Sequence, residues 1–248
     1  MALKQWMLKH IPDNQPSSLS PDEQSRLFGI HPSWITFLDL FEHETALLKS
    51  VVDTVRLARQ TETIYPAPEH VHRWSHLNEP QSVRVIIVGQ DPYHDGSASG
   101  VAFGTFPGRQ TPASLINVFR ELSRTIMNFQ PPNHGCLDAW CRQGVLLLNT
   151  VFTVVRNKPG SHRHLGWQQL SERIIRQLSE TREHLVFMLW GAEAQTREYL
   201  IDKTKHLVLK SCHPSPRNTQ KSFVGNDHFT LTNNYLQEHG QHTIDWNL

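Results

Sequence analysis

The chain is predicted to form an α/β domain: a central four-stranded, parallel, twisted sheet with helices on both faces and a helical N-terminal extension. Three observations predict it. Four short runs are almost wholly apolar, Val83–Val88, Val145–Leu148, Leu185–Leu189 and Leu207–Leu209, the composition of strands buried on both faces. Segments with the apolar spacing of helices separate several of these runs. Each run also ends in a small polar set: Gly89-Gln90-Asp91-Pro92-Tyr93-His94, Asn149, Trp190-Gly191, and Ser211-Cys212-His213-Pro214-Ser215-Pro216.

Residues 1–32 read as an irregular extension, with Pro12, Pro16, Pro21 and Pro32 and little periodicity. One helix start stands out there, because Ser20 can cap and Pro21 fits a first turn. Residues 33–248 read as one domain, since no repeat or low-complexity linker interrupts them. The spacing Trp34, Phe37, Leu38, Phe41, then Leu47, Leu48, Val51, Val52, Val55 predicts helix, broken by Tyr65-Pro66-Ala67-Pro68. Gly100–Gly104 is too short and glycine-rich to be helical. Thr111-Pro112-Ala113-Ser114 starts a helix with Leu115, Val118, Phe119, Leu122 and Ile126 on its apolar face, and Gln130-Pro131-Pro132-Asn133 ends it. Trp167–Leu178 is an amphipathic helix between the second and third strands, and Ala192–Leu200 a shorter one between the third and fourth.

With 248 residues the chain can bury one substantial core. Its 38% hydrophobic and 19% charged residues are ordinary for a soluble protein. No apolar stretch approaches the roughly 20 residues that span a bilayer, so no membrane partner is expected. Met1–His10 lacks an apolar core of signal-peptide length, which predicts an intracellular protein. Cys136, Cys141 and Cys212 cannot all pair with one another and lack zinc-finger spacing, so they read as reduced thiols. Sixteen histidines show no metal-binding spacing, and His162 and His164 read as a solvated loop. No metal and no cofactor are expected. Net charge is only +1, but Lys203, Lys205, Lys210, Arg217 and Lys221 cluster with Asp202 as the only nearby acid. The cluster is either a phosphate-attracting patch or a solvated basic loop.

In parallel sheets the carboxyl ends of the strands gather at one edge, where ligands bind. Gln90, Asp91, Asn149 and His213 should therefore meet. Pro92 holds Asp91 in extended geometry. Asp91 is then a cap or structural acceptor, or an anion that faces a developing cation and orients water. No second carboxylate has a place beside it, which argues against paired-acid glycoside hydrolysis. His213 is a structural histidine or a hydrogen-bond donor to a leaving group. Asn149 reads a base edge or ties down the Thr150 turn.

Gly89-Gln90-Asp91-Pro92-Tyr93-His94, Leu146-Leu147-Leu148-Asn149 and His213-Pro214-Ser215-Pro216 together resemble the signature motifs of family 1 uracil-DNA glycosylases. Weaker matches run from Tyr65-Pro66 through Trp190-Gly191 to Ile244-Asp245-Trp246, and Asp95–Gly100 with Ala102–Thr105 resemble herpesviral members. The resemblance implies a base-excision repair glycosylase that flips uracil out of DNA and hydrolyses its N-glycosidic bond, leaving an abasic site. It implies that Asp91 stabilises the oxocarbenium-like sugar and positions water, and that His213 stabilises the uracil anion. Asn149 and the backbone around Gln90 would bind the base, Phe103 would stack on it, and Tyr93 would exclude thymine. Ser114, Gly191 and Ser215 would contact phosphates, His94 would support the water and phosphate region, and Arg217 and Lys221 would contact DNA. Implied partners are single- or double-stranded uracil-containing DNA, replication proteins and proteinaceous glycosylase inhibitors. The implied protein is a monomer located in the nucleus, the host nucleus for a viral member.

These roles suit the chemistry. One Asn amide matches the uracil edge, and flipped it matches cytosine, so its orientation must be held. Thymine differs by a methyl and needs a steric barrier. A base inside a duplex must be extruded first, and phosphate contacts make binding weaken as salt rises. The sequence departs from the family pattern at Arg217, where a leucine wedge is usual, at Ala192, where serine is common, and in the shortened Thr111-Pro112-Ala113 loop. Arg217 either fills the vacated space in the duplex or grips phosphate, leaving Phe223 or nothing as the plug. Two rival readings are a DNA-binding scaffold of a replication complex with a secondary catalytic role, and a hydrolase of free nucleosides or nucleotides.

Overall fold

The four apolar runs pair as their composition predicts, with boundaries shifted by one or two residues. The structure, a computed structural model, describes residues 15–217 and 222–248. Its strands are β1 (Ile64–Tyr65), β2 (Val85–Gly89), β3 (Val145–Asn149), β4 (Val154–Val155), β5 (Val186–Trp190) and β6 (Leu207–Ser211). The main sheet has the order β3-β2-β5-β6, with every neighbouring pair parallel. β2, β3 and β5 are buried throughout, whereas β6 is a half-buried edge with Lys210 exposed.

The helices are α1 (Pro21–Phe28), α2 (Pro32–Leu38), α3 (Glu42–Ala58), α4 (Trp74–Leu77), α5 (Ala113–Thr125), α6 (Asp138–Arg142), α7 (Trp167–Thr181), α8 (Ala192–Gln195) and α9 (His228–Glu238). α1 packs against α2 and α3, α7 packs against α2 and α3, and α5 packs with α9, which also meets β5. Register brings the polar strand ends level. Gly89 pairs with Asn149 across β2 and β3, and Trp190 with Ser211 across β5 and β6. Gln90, Asp91, Gly191, Cys212 and His213 therefore leave the sheet at one edge.

Several expectations are corrected. The extension is not irregular from residue 21 on. Ser20 and Glu23 form a reciprocal capping box, Pro21 occupies the first turn, and α1 ends at Gly29 in the left-handed region. Phe28 and Ile30 lie in the same core as the later elements, so a boundary at residue 32 divides one hydrophobic cluster. Residues 1–14 lie outside the described residues. The helix expected from Trp34 to Val55 splits in two at Asp39, whose φ of 44° is incompatible with helix. The Ala192–Leu200 helix is the single turn α8 followed by a 3₁₀ turn at Glu198–Leu200.

His162 is buried rather than solvated. The Trp167 indole N–H donates to the Thr153 hydroxyl (2.7 Å), whose own proton then points to Nδ1 of His162 (2.8 Å). His164 is exposed as expected. The sequence analysis missed α4, α6, α9 and the antiparallel pair of β1 with β4, all short or without a clean period.

Candidate active site

A cavity of about 300 Å³ opens at the carboxyl edge of the sheet. It is lined by Gln90, Asp91, Tyr93, His94, Phe103, Ser114, Asn149, His213 and Ser215, nine of the residues singled out from sequence.

Backbone geometry builds the β2–β3 side. Past the strand ends, the Thr150 and Val151 N–H groups donate to the carbonyls of Gly89 (3.1 Å) and Gln90 (2.9 Å). The Thr150 hydroxyl also donates to the Gln90 carbonyl (2.9 Å). Thr150 thus ties its own turn, and Asn149 is not used for that. A Cβ at position 89 would stand 2.4 Å from Asn149 Oδ1 and 2.9 Å from Ala102 Cβ. Only glycine there lets the Asn149 amide lie flush against β2.

The Asp91 carboxylate accepts the Gly160 N–H at Oδ2 (2.7 Å). Oδ1 has no protein donor among the described residues. The turn after β4 delivers this contact and also brings Pro159 to the cavity wall. Sequence reasoning missed both. The Pro159-Gly160 pair signals a turn, but nothing local says that the turn meets Asp91. The His94 carbonyl accepts the Asn157 N–H (3.0 Å) from the same turn, while its buried Nδ1 is unpartnered among the described residues.

His213 has its tautomer set by the chain. Nδ1 accepts the Ser215 N–H (3.0 Å), so a neutral ring carries its proton on Nε2. Burial pushes its pKa below the ordinary histidine value, with the Asp91 charge pulling the other way. The ring is therefore neutral near pH 7 with one N–H to give. Gly191, at φ 95°, passes so close that a Cβ would lie 3.0 Å from the Cβ of His213. Gly191 supports His213 from behind and does not line the cavity.

The Tyr93 hydroxyl donates to the Phe103 carbonyl (3.1 Å) and accepts from the Ser114 hydroxyl (3.0 Å). Burial raises the Tyr93 pKa, so the phenol stays protonated. Phe103 has a φ of 63° and sets its ring edge-on to Trp190 (centroids 5.3 Å) and near His213 (5.8 Å).

The other residues expected to contact DNA do not join the cavity. Arg217 is exposed, with its N–H on Ser215 Oγ (3.3 Å). Lys221 lies outside the described residues. Phe223 is buried edge-on to Trp190 (4.9 Å), which removes it as a plug. The basic cluster is not one free patch. Lys203 (3.2 Å) and Lys210 (2.9 Å) both pair with Glu198, and Lys205 donates to the Glu180 carbonyl (3.4 Å). Counting nearby acids in sequence overlooked the carboxylate that the chain folds back between two of them.

A family model described as the uracil DNA glycosylase superfamily matches residues 76–237. This chain belongs to that family. It is 67% identical over its full length to the uracil-DNA glycosylase of human cytomegalovirus (strain Merlin), covering 99% of that protein. It is 50% identical to the uracil-DNA glycosylase of human herpesvirus 7 (strain JI), covering all of this chain and 98% of the relative. The crystal structure of mimivirus UNG Y322F in complex with UGI superposes with a TM-score of 0.82 at 28% identity, over 88% of this chain and 89% of that one. The chain is thus a herpesvirus-like uracil-DNA glycosylase, a glycosidase of DNA repair.

Proposed function

We propose that the cavity receives a uracil extruded from DNA and that Asp91 and His213 act on its glycosidic bond from opposite sides. The observation that carries the reading is that Asp91, Asn149 and His213, from three different strand ends, line one cavity. As the bond between sugar C1′ and uracil N1 breaks, its electron pair leaves with the base and the sugar becomes positive. The Asp91 carboxylate lowers the energy of that cation. The Nε2–H of His213 donates to the uracil anion, which a neutral imidazole can do without first losing a proton. Water adds to C1′ and its proton passes to Asp91, so no covalent enzyme intermediate and no metal enter the scheme.

Specificity follows from the cavity wall. The Asn149 amide, held against Gly89, reads the uracil edge, and the ring of Tyr93 occupies the space that a thymine methyl needs. A base with the wrong donor pattern would leave buried groups unpaired. Phe103 stacks on the base, while Ser215, Arg217 and Lys221 grip the DNA, so binding falls with salt. A proteinaceous inhibitor of the kind bound to the mimivirus neighbour would cover this DNA-binding face. The proposed place of action is the host nucleus, because the substrate is DNA.

The test is uracil release from a single-stranded uracil-containing oligonucleotide in EDTA. Release is expected, and a protein that needs added metal or releases no uracil would sink the reading.

A further inference from the structure

We propose that Asn117 and Glu121, on one face of α5, are positioning residues that hold both roots of the DNA-gripping loop after β6. This rests on reading Ser215 and Arg217 as DNA contacts.

Ser114, Asn117, Glu121 and Arg124 recur at helical spacing and share one face of α5. Ser114 bonds the Tyr93 hydroxyl. One turn on, Asn117 Nδ2 donates to the Pro214 carbonyl (2.8 Å), fixing the loop where it leaves His213. Another turn on, Glu121 is fully buried and holds the far root. Its Oε2 accepts the Gly225 N–H (2.6 Å) and its Oε1 the Asp227 N–H (2.7 Å). Arg124 donates to the same carboxylate through Nε (3.1 Å) and Nη2 (2.8 Å), and pairs with Asp227 as well.

The two backbone groups that Glu121 holds are in unusual conformations. Gly225 has φ 105° and Asp227 φ 60°, in the left-handed range that residues other than glycine seldom adopt. Two N–H groups converging on one carboxylate keep that turn in place. The carboxylate stays ionised although burial opposes it, because Arg124 and the two N–H donors outweigh the burial. Between the roots and the base pocket, Phe223 packs on Trp190 and Trp190 on Phe103.

Glu121 is not part of the cavity wall and cannot touch the base. Its effect should therefore fall on DNA binding and spare the base pocket. A merely structural carboxylate would change thermal stability and leave both alone.

The experiment compares Glu121→Gln and Asn117→Ala with the parent protein on a uracil-containing duplex, and measures inhibition by free uracil alongside. The KM for duplex should rise about tenfold and kcat should change less than about threefold. Inhibition by free uracil should stay within about twofold of the parent. Combining Glu121→Gln with Arg217→Ala should cost less than the product of the single effects, because both act through one loop. Asn117→Ala, a half-buried surface change, keeps the test open if Glu121→Gln folds poorly. Unchanged KM in both folded variants overturns the proposal, as does a parallel loss of free-uracil inhibition, which would mean damage to the base pocket. If Arg217→Ala and Ser215→Ala leave KM and its salt dependence unchanged, the underlying DNA-contact reading fails and takes this proposal with it. That outcome differs from one in which Arg217→Ala matters and Glu121→Gln does not.

Discussion

At the β2–β3 end of the pocket, Gln90 and Asp91 follow the central strand β2 and Asn149 ends its neighbour β3, both strands fully buried, with backbone hydrogen bonds and the clearance at Gly89 setting their places. At the β6 end, His213 and Ser215 leave a half-buried edge strand, and side chains from α5 hold the loop. The first region inherits its geometry from the sheet, so few substitutions can alter it without disturbing the core. The second is assembled from separate hydrogen bonds and can be altered one contact at a time. The two proposed catalytic groups, the Asp91 carboxylate and the neutral His213 imidazole, stand one at each end, whereas the proposed DNA grip is concentrated at the adjustable one.

The largest expected effect separates chemistry from grip at the rigid end. Asp91→Asn should lower kcat by about 10³-fold or more while duplex affinity stays within a few-fold of the parent. Single-turnover kinetics beside a binding titration check it, and an unchanged kcat would remove Asp91 from the mechanism. At the other end, His213→Leu should cost about 10²–10³-fold in kcat, since one hydrogen-bond donor to the leaving group is lost. If both variants kept parent turnover, the contrast drawn between the two ends would have no catalytic meaning.

Two glycines sharpen the comparison. Gly89→Ala forces an overlap at 2.4 Å with the Asn149 amide, and should lower kcat/KM by about 10²-fold with a stability loss of about 1–3 kcal/mol. Gly191→Ala meets His213 at 3.0 Å in a backbone conformation of positive φ. The looser β6 exit can yield there, so about a tenfold loss in kcat/KM is expected. The reverse order of severity would contradict the assignment of rigid and adjustable ends.

The last effect concerns stability and leaves turnover near pH 7 untouched. His72, packed between Trp74, Phe152 and Trp167, has its pKa lowered by burial to about 3. His228, which accepts the Trp190 indole N–H, is lowered by burial to about 4. Unfolded histidines titrate near 6.5, so as pH falls below that value the unfolded chain takes up protons before the folded one. Each of these two residues should leave stability flat above pH 6.5 and reduce it by about 1.4 kcal/mol per pH unit below, until its folded pKa is reached. Thermal unfolding from pH 7 to 4 checks this, and His228→Gln should remove one share of the slope. A midpoint indifferent to pH across that window would refute the buried neutral imidazoles.

What was legible in the sequence follows from what repeats locally. All-apolar runs announced the parallel strands, and the polar sets at their ends supplied Gln90, Asp91, Tyr93, His94, Asn149, His213 and Ser215 of the cavity, while Ala98, Val101 and Pro159 reach it from other loops. The misreadings came where a partner lies far along the chain. His162 looks like loop until Thr153 and Trp167 are placed beside it. Phe223 looks available until Trp190 covers it. The lysines near β6 look free until Glu198 folds back between them. Glu121 reads as one more helix carboxylate, with no sign of the two N–H groups it holds.

The sequence by itself determined the fold class, the family and the chemical groups at the pocket, because burial on two faces and motif spacing are written in consecutive residues. Only the tertiary structure decided which ring nitrogen of His213 carries the proton, that Gly160 steadies Asp91, and that α5 grips both ends of the loop. Those are contacts between segments that the folded backbone brings together, and no short-range pattern records the distance between them.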